Sequence, residues 1–568
     1  MVGLLSYSKI NKPTSVFRAT TCSETVRLLS ILLLLWLVPS LLKAQVGAAP
    51  PELERTKRLA ALCKLWGHVT YFHPYLPART QAWDSAFAAV IPLVKTGQSR
   101  LEYERVVTQL VAVLHDPATQ VMSRLTQPLP LRSGEKQPTQ TLTPDSILVV
   151  RLHHYADLRD WQNLQAKVQA IGQQLTQIKA VLFDLRTERV QPDDRFYVHY
   201  FFEQLSGLFS ITPLVSLRQQ GRMHDGLVTE TGYSTGGFSS ATYSLLPDVI
   251  QPDPNLKREL PAVFLVNAQS VLPPVALALQ QAAKAAVVAI GSFSDSPLIQ
   301  TAEFELPDSI QVQMRLTELM ASDGSTSVKA SYTLPATTTD EAAFESAMNV
   351  LKKRAFTALP TPNVRRLPVA PPALIYPPEA YPTLGYRMLA AAKIWTVIHY
   401  FFAYKELMHE NWDQLLLEYI PRIEASRDAL SYNLTLAEWY THIHDGHGFI
   451  NGPVLDAYLG VAPSPLVVRM IEKKPVVTAF RHDSLAKALG IELGDEILAV
   501  NGEAASVRLA RYHRYQSAST PDAADGYATR LFLSGPAKSL ITVQLKGRMQ
   551  QVKTVQLPRD PAFYQSGI

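Results

Sequence analysis

The feature that most constrains this chain is a repeat. When the sequence is shifted by 329 positions (387 minus 58), Arg58 falls on Arg387, and about 65 residues align without a gap. Lys64 meets Lys393, Trp66 meets Trp395, Tyr71 meets Tyr400, Phe72 meets Phe401 and Tyr75 meets Tyr404. Trp83 then meets Trp412, Asp84 meets Asp413, Pro92 meets Pro421, Tyr103 meets Tyr432, His115 meets His444 and Asp116 meets Asp445. Tryptophan is scarce here, so two coincident pairs in one register point to an internal duplication, which bears on any fold reading. Leu59, Leu62, Leu65, Trp66, Val69 and Phe72 recur at three- and four-residue steps, as do Ala391, Ile394, Trp395, Ile398 and Phe401. Each copy therefore reads as a small helical bundle, with further helices starting near Trp83 and Leu101. The copies differ at their ends. The first closes HDPATQ and the second HDGHGFING.

A chain of 568 residues is too long for one core, so several domains are expected. Residues 28–42 form an apolar run, shorter than the ~20 residues of a spanning helix. Lys9, Lys12, Arg18 and Arg27 precede it, which marks residues 1–44 as a secretory signal with a cleavage site after Ala44. An uncleaved anchor is the alternative, and the only membrane attachment expected. The chain is thus read as exported, to the periplasm or envelope or beyond the cell. Cleavage would leave Cys63 as the single cysteine, so no intrachain disulfide framework is expected, and Cys63 reads as a buried, inert thiol. The net charge of +5 is small and spread out, with no basic patch interleaved with aromatics, which argues against nucleic acid as a partner.

Between the copies the grammar is α/β. Ile147–Leu152, Ala180–Leu185, Ala262–Asn267 and Val287–Ile290 read as strands, and 161–178, 274–286 and 340–353 as helices. Alternation of this kind predicts a largely parallel sheet covered on both faces. Residues 126–145 read as a loop, and 355–383, with eight prolines, as a semi-rigid linker. Beyond the second copy the chain turns β-rich: Leu466–Ile471, Pro475–Phe480, Glu496–Val500 and Leu540–Leu545 are strand-like, with a short helix at 484–490 and an Asn501-Gly502 hairpin turn. The fold expected is multidomain α/β plus helical modules. Its parts are an N-terminal helical module (52–125), an α/β core (143–354), the linker (355–383), a second helical module (384–454) and a β-rich domain (455–560).

The stretch from Leu485 to Ala505, LAKALGIELGDEILAVNGEAA, resembles the core of a PDZ domain, and in particular that of the C-terminal-processing (tail-specific) serine peptidases, which include the tricorn core. The helical module with its Trp-Asp pair and closing Asp-x-His is similar to the module that precedes PDZ in tricorn-like members. Residues 147–351 resemble the family's α/β catalytic core, so that nearly all of the chain after residue 44 is covered. The resemblance implies peptidase activity and no cofactor. In the family, the asparagine at the strand end is followed by Thr-x-Ser-x-x-Glu, with that serine the nucleophile. Here the segment runs Asn267-Ala268-Gln269-Ser270-Val271-Leu272-Pro273-Pro274-Val275. Leu272 takes the nucleophile's position and Val275 the glutamate's, and a leucine cannot attack a carbonyl. The glycine pair that would follow Asp184-Leu185-Arg186 is replaced by Thr187-Glu188-Arg189.

His447 stands where tricorn-like members place the histidine that activates the serine, and is the candidate general base. Ser270 is the candidate for a shifted nucleophile served by His447 across the duplication. His442, His444 and His447 with Asp445 suggest a metal site by type, but no further ligand completes it, and none is expected. His115 and His444, present in both copies, read as structural. The PDZ resemblance implies capture of polypeptide C-termini or extended peptides, with Leu459-Gly460-Val461 as the candidate carboxylate loop. A spacer role for that domain is the alternative. Two functions follow. One is an exported serine peptidase incomplete as written, whose second, serine-bearing core would lie downstream; the other is a non-catalytic, peptide-binding pseudopeptidase of the envelope.

Overall fold

The structure is a computed structural model. It describes residues 51–565 apart from 97–98, 123–138, 189, 191–192, 227–238, 247, 292–294, 321–328, 357–375 and 377. The signal-like segment, most of the expected 126–145 loop and most of the proline-rich linker lie outside the described residues.

Each repeat copy folds as three helices: Pro51–Phe72, Thr80–Thr96 and Arg100–Ala112 in the first, and Leu384–Phe401, Trp412–Ala425 and Ala429–Thr441 in the second. The paired tryptophans explain the shared register. Trp66 Nε1 donates to Asp84 Oδ1 at 2.8 Å, and Trp395 Nε1 to Asp413 Oδ1 at 2.9 Å. Trp83 Nε1 donates to the Trp66 carbonyl, and Trp412 Nε1 to the Trp395 carbonyl. Each indole N–H is thereby satisfied inside an apolar layer, which a buried tryptophan requires. His115 and His444 both take left-handed backbone, φ 47° and 51°, just past the third helix. The two units are distant in sequence but not in space: Leu59, Trp66, Trp83, Met388, Trp395 and Trp412 belong to one hydrophobic core. Their first helices approach at Gly67 and Thr396, positions that coincide in the repeat register. A Cβ on Gly67 would lie 2.2 Å from Thr396 Oγ1.

The α/β unit is a six-stranded sheet in the order Tyr332–Leu334, Ala285–Ile290, Ala262–Asn267, Ala180–Asp184, Ile147–Arg151, Gln140–Leu142. All neighbours pair in parallel except the last, an antiparallel edge. Alternate residues of each strand face opposite layers. Leu148, Val181, Phe183, Ala262 and Phe264 meet one layer, to which the helices Trp161–Leu175, Asp194–Leu205 and Pro274–Gln281 contribute. Ile147, Val149, Leu182, Val263 and Leu265 meet the helix Asp340–Lys353 on the other. Three boundaries differ from expectation. The unit begins at Gln140, inside the expected loop, and the 161–178 helix stops at Leu175. The helix expected over 274–286 stops at Gln281, because the chain reverses at Ala283 (φ 55°) and Ala285–Ile290 enters the sheet.

The C-terminal unit is an antiparallel sheet ordered Leu466–Ile471, Lys474–Phe480, Glu496–Val500, Leu540–Lys546, Val552–Pro558. Asn501 and Gly502 turn with φ of 49° and 81°, the left-handed pair a tight hairpin needs. The last strand and the helices Pro453–Leu459, Ala505–His513 and Pro521–Leu531 were not anticipated. Among the described residues no helix is long and apolar enough to cross a membrane.

Candidate functional site

Sequence reasoning placed one candidate at the end of the strand Ala262–Asn267. There the Ser270 hydroxyl lies 2.9 Å from both the Leu185 carbonyl and the Asn267 side-chain oxygen, and it accepts the Asn267 amide at 2.8 Å. Ser270 is buried, and its described hydrogen-bond partners include no imidazole. Its hydroxyl closes the turn that ends the strand. Leu272 and Val275 are buried in the apolar layer. The helix that follows has Pro273 as its N-cap and Pro274 at its first position. Neither residue has an N–H, so the helix start loses donors that would otherwise face an incoming anion. The segment that follows Leu185 is occupied too. Asn267 Nδ2 donates to the Thr187 carbonyl at 2.8 Å, and the Arg186 guanidinium is spent on Asp184 and Asp340.

A histidine that the sequence did not flag stands closer. His199 Nε2 donates to the Leu272 carbonyl at 3.3 Å. Burial pushes its pKa down to about 4, with Arg195 nearby adding to the effect. His199 is thus a neutral donor to backbone at this site and not a base poised over a hydroxyl.

His447 sits past the third helix of the second unit. Its Nδ1 donates to Asp445 Oδ1 at 2.7 Å, and Asp445 Oδ1 also accepts the His447 amide at 2.9 Å. The side chain is 96% exposed, which leaves Nε2 facing solvent. Desolvation opposes ionisation of Asp445, and the His447 amide and ring outweigh it, holding the carboxyl below its ordinary range. An imidazole fixed at Nδ1 by a carboxylate, with Nε2 open, has the geometry of an oriented base. The structure does not bring His447 and Ser270 into contact. His442 and His444 both turn toward Glu410, at 3.3 and 3.2 Å. Among the described residues no group of three His, Cys, Asp or Glu side chains converges as a metal site requires.

Leu459 ends the helix Pro453–Leu459 and packs partly against the C-terminal core. Gly460 has φ 89° and its amide donates to the Asp456 carbonyl, while Ala462 exchanges both backbone hydrogen bonds with Gly535. Val461 is half exposed. The amides of Gly460 and Ala462 are therefore engaged within the fold. The neighbouring strand Leu466–Ile471 offers more, because among the described residues it is a sheet edge, paired with Lys474–Phe480. Its run of apolar residues was legible, but its edge position depends on strand order.

No family model and no curated protein matches this chain. Among solved structures it is similar to a lipoprotein from Streptococcus agalactiae, at 14% identity over 55% of this chain and 99% of that one, with a TM-score of 0.32. It is similar to a putative peptidase from Parabacteroides merdae ATCC 43184, at 13% identity over 52% and 96%, with a TM-score of 0.35. It is also similar to a photosystem II D1 C-terminal processing protease, at 12% identity over 52% and 97%, with a TM-score of 0.29.

Proposed function

We propose that this chain is an exported homologue of the C-terminal-processing serine peptidases whose α/β core does not cleave peptide bonds. Its PDZ-like unit binds extended polypeptides or their C-termini. The observation that carries the reading is the state of this segment: Ser270 is closed onto Leu185 and Asn267, and Leu272, at the position that the resemblance assigns to the nucleophile, is buried. Acyl transfer needs a nucleophile within reach of a base, and at the position that the resemblance assigns to the nucleophile this core carries a buried leucine. The binding half of the reading is supported by the edge strand Leu466–Ile471, whose outer backbone groups suit addition of a peptide strand. A second reading, a peptidase completed by a serine from elsewhere, is favoured by one observation: the Asp445–His447 pair leaves Nε2 open. The matching sequences of the two helical units and their paired tryptophan–aspartate bonds support descent of the whole from a doubled ancestor.

The test uses the full chain in two assays. A serine-directed fluorophosphonate and a set of fluorogenic peptides report chemistry; fluorescence anisotropy of labelled peptides with free or amidated C-termini reports binding. The expected result is no labelling, no hydrolysis, and saturable binding that weakens when Val468→Pro disrupts the edge strand. Labelling at Ser270, or hydrolysis that disappears in His447→Ala, overturns the reading of the core. Binding unchanged by Val468→Pro overturns the reading of the edge strand.

A further inference from the structure

The two helical units have matching ends, and among the described residues the α/β unit is bonded to that of the first. In the first unit, Arg315 of the α/β unit lies against Asp116, with Nε 3.0 Å from both carboxylate oxygens and Nη2 2.8 Å from Oδ1. The same guanidinium reaches Asp295 and sits 5.0 Å over the Tyr75 ring. The Arg315 amide donates to Thr119 Oγ1. Immediately after, Gln120–Met122 pairs antiparallel with Ile310–Arg315, Gln120 opposite Gln313 and Met122 opposite Gln311. The helical unit thus docks on the α/β unit through a carboxylate, an aromatic ring and a short strand.

The second unit carries the same three devices, and no arginine or strand is described on them; the Asp445 carboxylate is held by the His447 amide and ring. Adding 329 takes Tyr75 to Tyr404, Asp116 to Asp445, and 120–122 to Phe449, Ile450 and Asn451. Pro74 is buried and its counterpart Ala403 exposed; Ala118 is buried and its counterpart His447 exposed. Tyr404 is 63% exposed and Phe449 73%. Residues 449–451 form no strand. The PDZ-like unit meets this end through the backbone, Ser517 Oγ accepting the Asp445 amide and the Tyr527 hydroxyl donating to the Gly446 carbonyl.

We infer that this end of the second helical unit is a docking surface for a second α/β domain of the kind built by residues 140–353. The partner lays a strand antiparallel on Phe449–Asn451, inserts an arginine between Asp445 and the Tyr404 ring, and faces His447 with a hydrogen-bonding group. A second copy of this chain does not fit the requirement, because its own Arg315 is already bound to Asp116 and Asp295. His447 takes the place of a side chain that docking buries, so an apolar partner surface there would leave its ring unsatisfied, and a hydroxyl or carbonyl would not. The inference stands on the comparison of the two units and does not depend on whether the assembly cleaves peptides.

The probe is a synthetic disulfide-closed peptide reproducing the chain's own hairpin, residues 301–317, labelled with a fluorophore. It carries the strand and the arginine that dock on the first unit. The expected result is saturable binding to the full chain, weakened at least tenfold by Asp445→Asn, by Tyr404→Ala, and by Arg315→Gln within the peptide. Thermal melting of each variant checks that the fold is retained; Tyr404 is exposed, so its loss does not open a core. Absence of saturable binding, or binding undiminished in both Asp445→Asn and Tyr404→Ala, overturns the inference. Binding abolished by Val468→Pro instead moves the peptide to the sheet edge and overturns it as well.

Discussion

Lys64 of the first helical unit bonds Asp413 of the second at 2.9 Å, and Lys393, its counterpart, lies 3.8 Å from Asp84, the counterpart of Asp413. The contact is reciprocal, as in a two-fold interface, yet its halves sit in different surroundings. Asp84 has a side chain 1% exposed and also accepts Trp66 Nε1 and the Tyr376 hydroxyl. Asp413 is 51% exposed. Removing one partner from a buried charged network costs roughly 3–5 kcal/mol, and from an exposed one about 1 kcal/mol or less. Asp84→Ala is therefore expected to lower the urea midpoint well below that of Asp413→Ala. Equal losses would show that burial does not set the cost here.

The approach of the two first helices can be tested through Gly67. An added methyl would lie 2.2 Å from Thr396 Oγ1 and 2.8 Å from its Cγ2. Thr396 is fully buried and its hydroxyl donates to the Ala392 carbonyl at 2.7 Å, so it has little room to turn. Gly67→Ala gains about 1 kcal/mol of helix propensity but overpacks the contact at a cost of roughly 1–3 kcal/mol. The expected net effect is destabilisation, larger than that of Gly526→Ala, where an added Cβ meets nothing within 4 Å. Combining Gly67→Ala with Thr396→Ala is expected to recover part of the loss. A double-mutant cycle by urea unfolding with zero coupling would remove the contact from the account.

Much of this was legible because the repeat is written in residues whose contacts are local to each copy. Trp66 and Asp84 are 18 residues apart, and a pair that close survives as a pattern. The merging of the two units into one core was not legible, since Gly67 and Thr396 signal nothing to each other along the chain. The helix over 274–286 was read too long because Ala282, Ala283, Ala285 and Ala286 favour helix. The apolar run Ala285–Ile290 is instead buried on both faces of a parallel sheet, and tertiary burial outweighs propensity. The edge strand Val552–Pro558 was missed although its alternation is visible. Arg315 left no trace, because an arginine at a strand end looks the same whether it faces solvent or, as here, two carboxylates. The candidate site was half legible: Ser270 at the end of an apolar run stands out in sequence, while its closure on Leu185 needs coordinates.

Ser270 itself separates a structural from a chemical role. Its hydroxyl serves Asn267 and Leu185 inside a buried turn. Truncation leaves a buried amide and a carbonyl without that partner, at about 1–3 kcal/mol. Ser270→Ala is expected to lower the melting temperature by several degrees and to leave peptide binding unchanged. Unaltered stability together with lost activity on any peptide substrate would make the residue chemical and not structural.

His68 lies between the helical units, its Nδ1 bonded to the Tyr400 hydroxyl and its ring stacked on Phe304 at 4.4 Å. Burial lowers its pKa to about 4, and His399 and Lys64 push the same way. In the unfolded chain the ring titrates near its ordinary value of about 6.5. Above that value neither state holds the proton, and the full stability is present. As pH falls through the window from 6.5 to 4 the unfolded chain takes up the proton first, so stability drops, and below about 4 this ring causes no further loss. The difference corresponds to roughly 3 kcal/mol. Urea unfolding of the intact chain between pH 7.5 and 4 should show this loss. In His68→Gln, which keeps a hydrogen-bonding group toward Tyr400 but cannot titrate, the slope of stability against pH should be shallower by about one proton. An identical slope in both proteins would mean that the ring is protonated in the folded state and that the interface tolerates its charge.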